Sequence, residues 1–173
     1  QFVRDYLTDT LGLAEDRVGV VYHGIDPERV RLAQRPAGIP DKLGARFVFT
    51  AGLIYPYRGL EDLIEAWARL RERADPPLLV IAGKVGQGMS RYYARLRRLV
   101  HRQKLDSHIR FVGVLSGSEM AWCYQNGLAF AMTSRVEACP NIALEAMAYG
   151  CLCISTLTSY LFPSESNALT SIV

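Results

Sequence analysis

Ser134-Arg-Val-Glu-Ala-Cys-Pro-Asn-Ile-Ala-Leu-Glu-Ala-Met-Ala-Tyr-Gly150 lies between two apolar runs, Leu128-Ala-Phe-Ala-Met132 and Cys151-Leu-Cys-Ile154. Strand, loop, helix and strand in that order make a crossover unit of a parallel sheet. Glu137 falls in the loop after a strand's carboxyl end, where open α/β sheets bind ligands. Pro140 suits a helix start, because its missing N–H costs nothing in a first turn. Glu145 lies about one turn further along, and Gly150 stops the helix in a conformation that glycine adopts cheaply. The two carboxylates, one on a loop and one on a helix, can face one cleft. A helical Glu is ordinarily a solvated surface residue. Here Ile142, Ala143, Leu144, Ala146, Met147 and Ala148 surround Glu145. The helix therefore reads as apolar nearly all round and buried, and a carboxylate in it needs a partner.

The same alternation runs outward from this unit. Val18–Tyr22, Phe47–Gly52, Leu78–Gly83 and His108–Gly113 are strand-like runs. With 128–132 and 151–155 they make six strand candidates, separated mostly by helices, the pattern of a doubly wound parallel sheet. Residues 2–13 read as a short helix ending at Gly12, and 28–45, with Pro36, Gly38, Pro40 and Gly44, as a loop. Residues 60–73 carry Leu60, Leu63, Ile64, Trp67 and Leu70 at helical spacing, so Trp67 reads as core. Residues 90–104 form a helix with six basic residues and no acid. Its inner stripe is Tyr92, Leu96, Leu99 and Val100. Such a basic face is ordinarily solvated, with a membrane surface as the other reading. Ser116 or Ser118 can cap a helix that runs to about Gln125. The glycines of 83–88 lack the spacing of a dinucleotide fingerprint.

The spacing Ser-x-x-Glu-x-x-Pro-x-x-x-x-Glu-Ala-Met-Ala-x-Gly over 134–150 resembles the E-x7-E signature of retaining glycosyltransferases with the GT-B fold, in particular the family 4 group, the glycosyl transferases group 1. The resemblance implies a Rossmann-like domain, the second half of a GT-B architecture, that binds a nucleoside-diphosphate-sugar. It makes Glu137 the catalytic residue, in contact with hydroxyls of the donor sugar, and gives Glu145 the ribose hydroxyls of the nucleotide. Carboxylates suit both tasks, since an ionised acid accepts two hydrogen bonds from a vicinal diol. His23-Gly-Ile-Asp26 is similar to the segment that opens the family's second domain. His23 stands open between a catalytic base and a turn-stabilising residue. Gly52–Gly59 is similar to the family's Gly-Arg-Leu-x-x-x-Lys-Gly segment, whose basic residues grip the diphosphate. Arg58 takes the Lys position, and Leu53 stands where the Arg usually is. Lys84 is either a substitute for that Arg or an exposed loop lysine. The donor-binding set implied is Arg58, Gly59, Lys84, Glu137, Asn141, Ile142, Ala143 and Glu145. The resemblance implies no metal and no cofactor, and no Asp-x-Asp cluster is present to hold one. The family's Gly-rich phosphate loop is missing from Leu157–Pro163, and Glu165 aligns loosely with the acid that follows it.

At 173 residues, half of them apolar and 21% charged, the chain is large enough for one full core and is not disordered. A net charge of +3 is mild and singles out no nucleic acid. The four cysteines lack zinc-ligand spacing. Cys151 and Cys153 read as buried small hydrophobes on one strand face, which points to a reducing compartment. The start is polar rather than signal-like, and the longest uncharged run is interrupted too often to span a membrane. The expected organisation is a single nucleotide-sugar-binding domain over 1–173. Residues 1–17 would be a linker from a missing first domain, and 156–173 a truncated tail. The acceptor, whether a sugar, a lipid-linked or a protein one, would be met through that first domain. The expected setting is cytoplasmic, with peripheral contact on the membrane inner face as an option. Truncation is expected to bring self-association or a poorly ordered tail from 157. Other readings weighed from the residues are a binding module that never turns over, a nucleotide-sugar epimerase, and a glycosidase-like Glu137–Glu145 pair.

Overall fold

The computed structural model describes residues 2–21, 24–26, 33–40, 47–137 and 140–156. Five strands form one sheet: β1 (Phe47–Ala51), β2 (Leu78–Ala82), β3 (Ile109–Gly113), β4 (Ala129–Met132) and β5 (Cys153–Ser155). All neighbours are parallel and the order is β3-β2-β1-β4-β5. The helices are α1 (Phe2–Asp5), which continues as a wider turn over Tyr6–Thr10, α2 (Leu60–Arg71), α3 (Ser90–Arg102), α4 (Gly117–Asn126) and α5 (Asn141–Ala148).

Strand alternation explains the two layers of helices. Val48, Leu79 and Ile81 point to one face, where they meet Leu63 and Ile64 of α2 and Leu96 of α3. Phe47, Phe49, Val80 and Phe130 point to the other, against Cys123 and Tyr124 of α4 and Ala146 of α5. A parallel sheet buried on both faces is built from such near-continuous apolar runs. Trp67 is a core residue, and its indole N–H donates to the Pro77 carbonyl at 2.8 Å. Ser116 and Glu119 close a reciprocal capping box at the start of α4, with Glu119 N to Ser116 Oγ at 3.3 Å and Ser116 N to Glu119 Oε2 at 2.8 Å. That box satisfies two otherwise orphaned amides. The loop at 33–40 closes the second core layer with Ile39.

Four expectations change. The sixth strand does not join the sheet. Val18–Val21 carry no ladder, Val21 is 94% exposed, and neither outer strand, β3 or β5, takes a further partner among the described residues. An apolar run becomes a strand only where another backbone supplies its hydrogen bonds, and Gly19 weakens this one further. The helix α5 is buried on one side only. Ala143 and Ala146 are packed, whereas Met147 is 53% exposed. Finally, Leu70 is exposed, and Cys151 sits buried in the turn before β5 rather than on the strand with Cys153. No helix among the described residues is long and apolar enough to cross a membrane.

Candidate functional site

The strand order places successive connections on opposite sides of β1. The crevice between the carboxyl ends of β1 and β4 is therefore the topological switch point, where such sheets take their ligands. A cleft opens there, lined by Thr50, Gly52, Leu53, Arg58, Met132 and Ser134. Two loops form its walls, residues 52–59 after β1 and 133–137 after β4, and they are sewn together. Thr133 Oγ1 donates to the Arg58 carbonyl at 3.0 Å, and the Arg135 amide donates to the Tyr57 carbonyl at 2.7 Å. The Arg135 guanidinium donates to the Pro56 carbonyl and to Asp62, each at 2.7 Å. Gly59, at φ +62°, stands at the start of α2. A Cβ there would lie 2.2 Å from the Thr133 carbonyl oxygen, so only glycine lets the two loops touch.

Arg58 is folded into this cleft. Its Nη1 donates to Ser134 Oγ at 3.1 Å and forms a short ion pair with Glu137 Oε1. The side chains are 16% and 14% exposed, so the pair is only partly screened by water. Ser134 itself is buried. The Arg58 Nε is buried without a hydrogen-bond partner among the described residues. Gly52 makes room for the group, because a Cβ there would sit 2.3 Å from Nη2. The cleft thus holds a cation with unused donor capacity beside a carboxylate with unused acceptor capacity.

The rest of the expected set is held by other contacts. Glu145, half-buried on α5, accepts from the Tyr124 hydroxyl at 3.2 Å. Asn141 and Ile142 carry amides ahead of the first helical hydrogen bonds, whereas the Ala143 amide is already bonded to the Pro140 carbonyl at 3.0 Å. Pro140 serves as the cap rather than the first helical residue. Lys84 is exposed, and its carbonyl accepts from the Ile54 amide at 2.9 Å, which brings its loop beside the β1 loop. Leu53 is exposed. His23, Cys139 and the tail with Leu157–Pro163 and Glu165 lie outside the described residues. Among the described residues, no group of three or more His, Cys, Asp or Glu side chains is placed to hold a metal ion.

The model of the glycosyl transferases group 1 family matches residues 36–165. The chain belongs to that family. A D-inositol 3-phosphate glycosyltransferase of Streptomyces bingchenggensis is 32% identical over 157 residues, covering 84% of this chain and 34% of that one. The chain thus spans about a third of the length of the curated relatives it matches. Among solved structures, HepE of Anabaena in complex with UDP and glucose superposes with a TM-score of 0.67 at 23% identity, over 85% of this chain and 40% of that one. The C-terminal domain of LpcC, a glycosyl transferase group 1 protein of Francisella tularensis, superposes with a TM-score of 0.66 at 23% identity, over 82% of this chain and 74% of that one. The fold is that of the C-terminal, Rossmann-like half of a GT-B glycosyltransferase.

Two partners of the expected site residues carry no mark in the sequence. Ser134 heads the quoted stretch, but nothing in a lone serine marks it as the partner of a residue 76 positions away. Tyr124 looks like an ordinary aromatic in a helix. Its buried hydroxyl is the feature that demands a partner, and burial is not visible in the sequence.

Proposed function

We propose that this chain is the donor-binding half of a retaining glycosyltransferase, which moves a sugar from a nucleoside-diphosphate-sugar to an acceptor. The observation that carries the reading is the meeting of Arg58, Ser134 and Glu137 in the crevice between β1 and β4. The complex of HepE with UDP-glucose supports the same donor class. Retention rests on the resemblance of 134–150 to the E-x7-E signature.

In this reading the diphosphate lies against Arg58 and the opening amides of α5 at Asn141 and Ile142. As the glycosidic bond breaks, negative charge grows on the leaving phosphate, and fixed donors aimed at that charge stabilise it. The guanidinium suits a phosphate because its planar fork can bond two oxygens at once. Glu137 accepts from hydroxyls of the sugar, and Glu145 accepts from the ribose diol. Lys84, on the adjoining loop, supplies further positive charge at the cleft mouth. The acceptor is met by a part of the protein outside this chain.

Calorimetric titration with UDP, GDP and ADP tests the site. One nucleotide should bind, and Arg58→Ala should weaken it by roughly 10- to 100-fold, because a hydrogen bond to a charged group contributes about 1.5–3 kcal/mol. Nucleotide binding that survives both Arg58→Ala and Glu145→Gln would move the site elsewhere. Product analysis with a labelled donor separates transferred sugar from an epimer, from free sugar, and from a module that binds without turnover.

A further inference from the structure

Glu145 does not stand in its helix by itself. Among the described residues, Tyr124 is the group that donates a hydrogen bond to it, from Oη to Oε2 at 3.2 Å. Tyr124 comes from a different helix, α4, and is only 2% exposed. Its ring is locked on several sides. Tyr149 stacks on it at 5.8 Å, and Phe49 and Phe130 meet it edge-on at 5.5 and 5.6 Å. The start of α4 is fixed in turn by the Ser116–Glu119 capping box. The hydroxyl therefore has one place to point, and a buried hydroxyl without a partner would be costly.

From this geometry we propose that Tyr124 is a positioning residue for nucleotide recognition: it holds Glu145 by Oε2 so that Oε1 is presented to the ribose hydroxyls. The proposal rests on the donor-binding reading of Glu145 given above. Two physical points support it. A carboxylate on an exposed-sided helix such as α5 samples several rotamers, and fixing one oxygen removes that freedom before the ligand arrives. Burial, then the charge and hydrogen bond of Glu145, push the Tyr124 hydroxyl well above the usual phenol range. It therefore keeps its proton and remains a donor. Tyr124 would touch no part of the donor. Its effect passes through Glu145, and so it should be felt at the ribose and not at the phosphates.

The test uses the full chain with Tyr124→Phe and Glu145→Gln, titrated with UDP, GDP and ADP, with the 2′-deoxy form of each, and with pyrophosphate. The phenylalanine keeps the aromatic box and removes only the hydroxyl. The unsubstituted chain should prefer the ribonucleotide to its 2′-deoxy form. Tyr124→Phe should shrink that preference by about three- to tenfold, less than the roughly 10- to 100-fold of a lost hydrogen bond to a charged group, because the contact of Glu145 with the ribose is loosened and not removed. Pyrophosphate affinity should stay unchanged. If Glu145→Gln erases the preference and Tyr124→Phe leaves it intact, Tyr124 is not the positioning residue and the donor reading stands. A preference that survives Glu145→Gln overturns the ribose role of Glu145, and this proposal with it. An equal loss toward pyrophosphate in Tyr124→Phe would mark a general loosening of the domain and also overturn it. Failure of every nucleotide to bind would sink the donor-binding reading as a whole.

Discussion

Replacing Glu137 with Gln should tighten the binding of a free nucleoside diphosphate while it lowers sugar transfer. In the ligand-free chain, Arg58 Nη1 serves Ser134 Oγ at 3.1 Å and Glu137 Oε1 together. A phosphate that takes this Nη1 donor must first displace the carboxylate. A hydrogen bond involving a charged group contributes about 1.5–3 kcal/mol net, and one to a neutral group about 0.5–1.5. Replacing the carboxylate by an amide therefore lowers the cost of displacement by about 1–1.5 kcal/mol. At 1.36 kcal/mol per decade, that is roughly a tenfold gain in affinity for UDP or its GDP or ADP counterpart. The side chains are 16% and 14% exposed, so residual water makes tenfold an upper figure. Titration calorimetry reads the affinity, and a labelled-donor assay reads the transfer. A thermal scan adds a control. The glutamine variant leaves the Arg58 charge without its counter-charge, so its melting temperature should fall without ligand and recover more than the unsubstituted chain on adding nucleotide. If Glu137→Gln binds the diphosphate no better than the original, the two residues do not compete in the way their pairing requires.

Gly59→Ala should destabilise the chain and loosen the cleft. The left-handed backbone costs an alanine about 1–2 kcal/mol, and its Cβ would sit 2.2 Å from the Thr133 carbonyl oxygen. A melting temperature lower by about 3–8 °C is expected, and an unchanged one would refute the close approach. On α3, Arg91, Arg95, Arg98 and Arg102 form one stripe along the exposed side, and only Arg95 has an acidic partner, Glu61, among the described residues. Each arginine near an anionic surface contributes about 1 kcal/mol, so Arg98→Gln with Arg102→Gln should cut co-sedimentation with phosphatidylserine vesicles by about 30-fold. Binding that ignores both substitutions would remove α3 as the peripheral contact. Burial, then the Glu119 charge, pushes the Cys123 thiol up to about 12, and burial, then Cys151, pushes Cys153 up to about 11. Unfolded thiols ionise near pH 8.5, so stability from these protons is complete below about pH 8.5 and is lost as pH rises through 11–12. At pH 9, alkylation mapped by mass spectrometry should spare both cysteines until denaturant is added. Labelling of either one in the folded chain at the rate of a free thiol would contradict this.

What the sequence disclosed follows from what short-range pattern can carry. The stripe of α2 and the apolar runs of β1 and β2 repeat at periods fixed by backbone geometry, so they could be read before any contact was known. Ser116 and Glu119 sit three apart and cap the same turn, so that motif is local too. Val18–Val21 has the composition of a strand, but composition does not supply the neighbouring backbone that would pair with it. The helix α5 has apolar residues on most sides, yet which sides are covered depends on elements far along the chain. The Arg58–Glu137 pair joins residues 79 positions apart. The resemblance assigns each to a different end of the donor, and their mutual attraction follows only from the β1–β4 adjacency that sews two loops together.

That attraction bears on how the proposed donor enters. Leu53 offers no charge where the family usually has an arginine. Arg135 is committed to Asp62 and the Pro56 carbonyl. Among the described residues, Lys84 is linked to the cleft loop through its backbone. Arg58 is then the cation that lines the cleft, and Glu137 has already neutralised it. A diphosphate that captures Arg58 sets Glu137 free in a largely dehydrated place, where an unpaired carboxylate is unfavourable. The intact donor removes that penalty, because its sugar hydroxyls can donate to the released carboxylate. One exchange of partners would thus engage both ends of the donor. A bare nucleoside diphosphate would complete only half of it, which would favour release of the spent nucleotide over the loaded one. The glutamine at 137 should erase this asymmetry from both sides, helping the bare nucleotide and depriving the sugar of its charged acceptor.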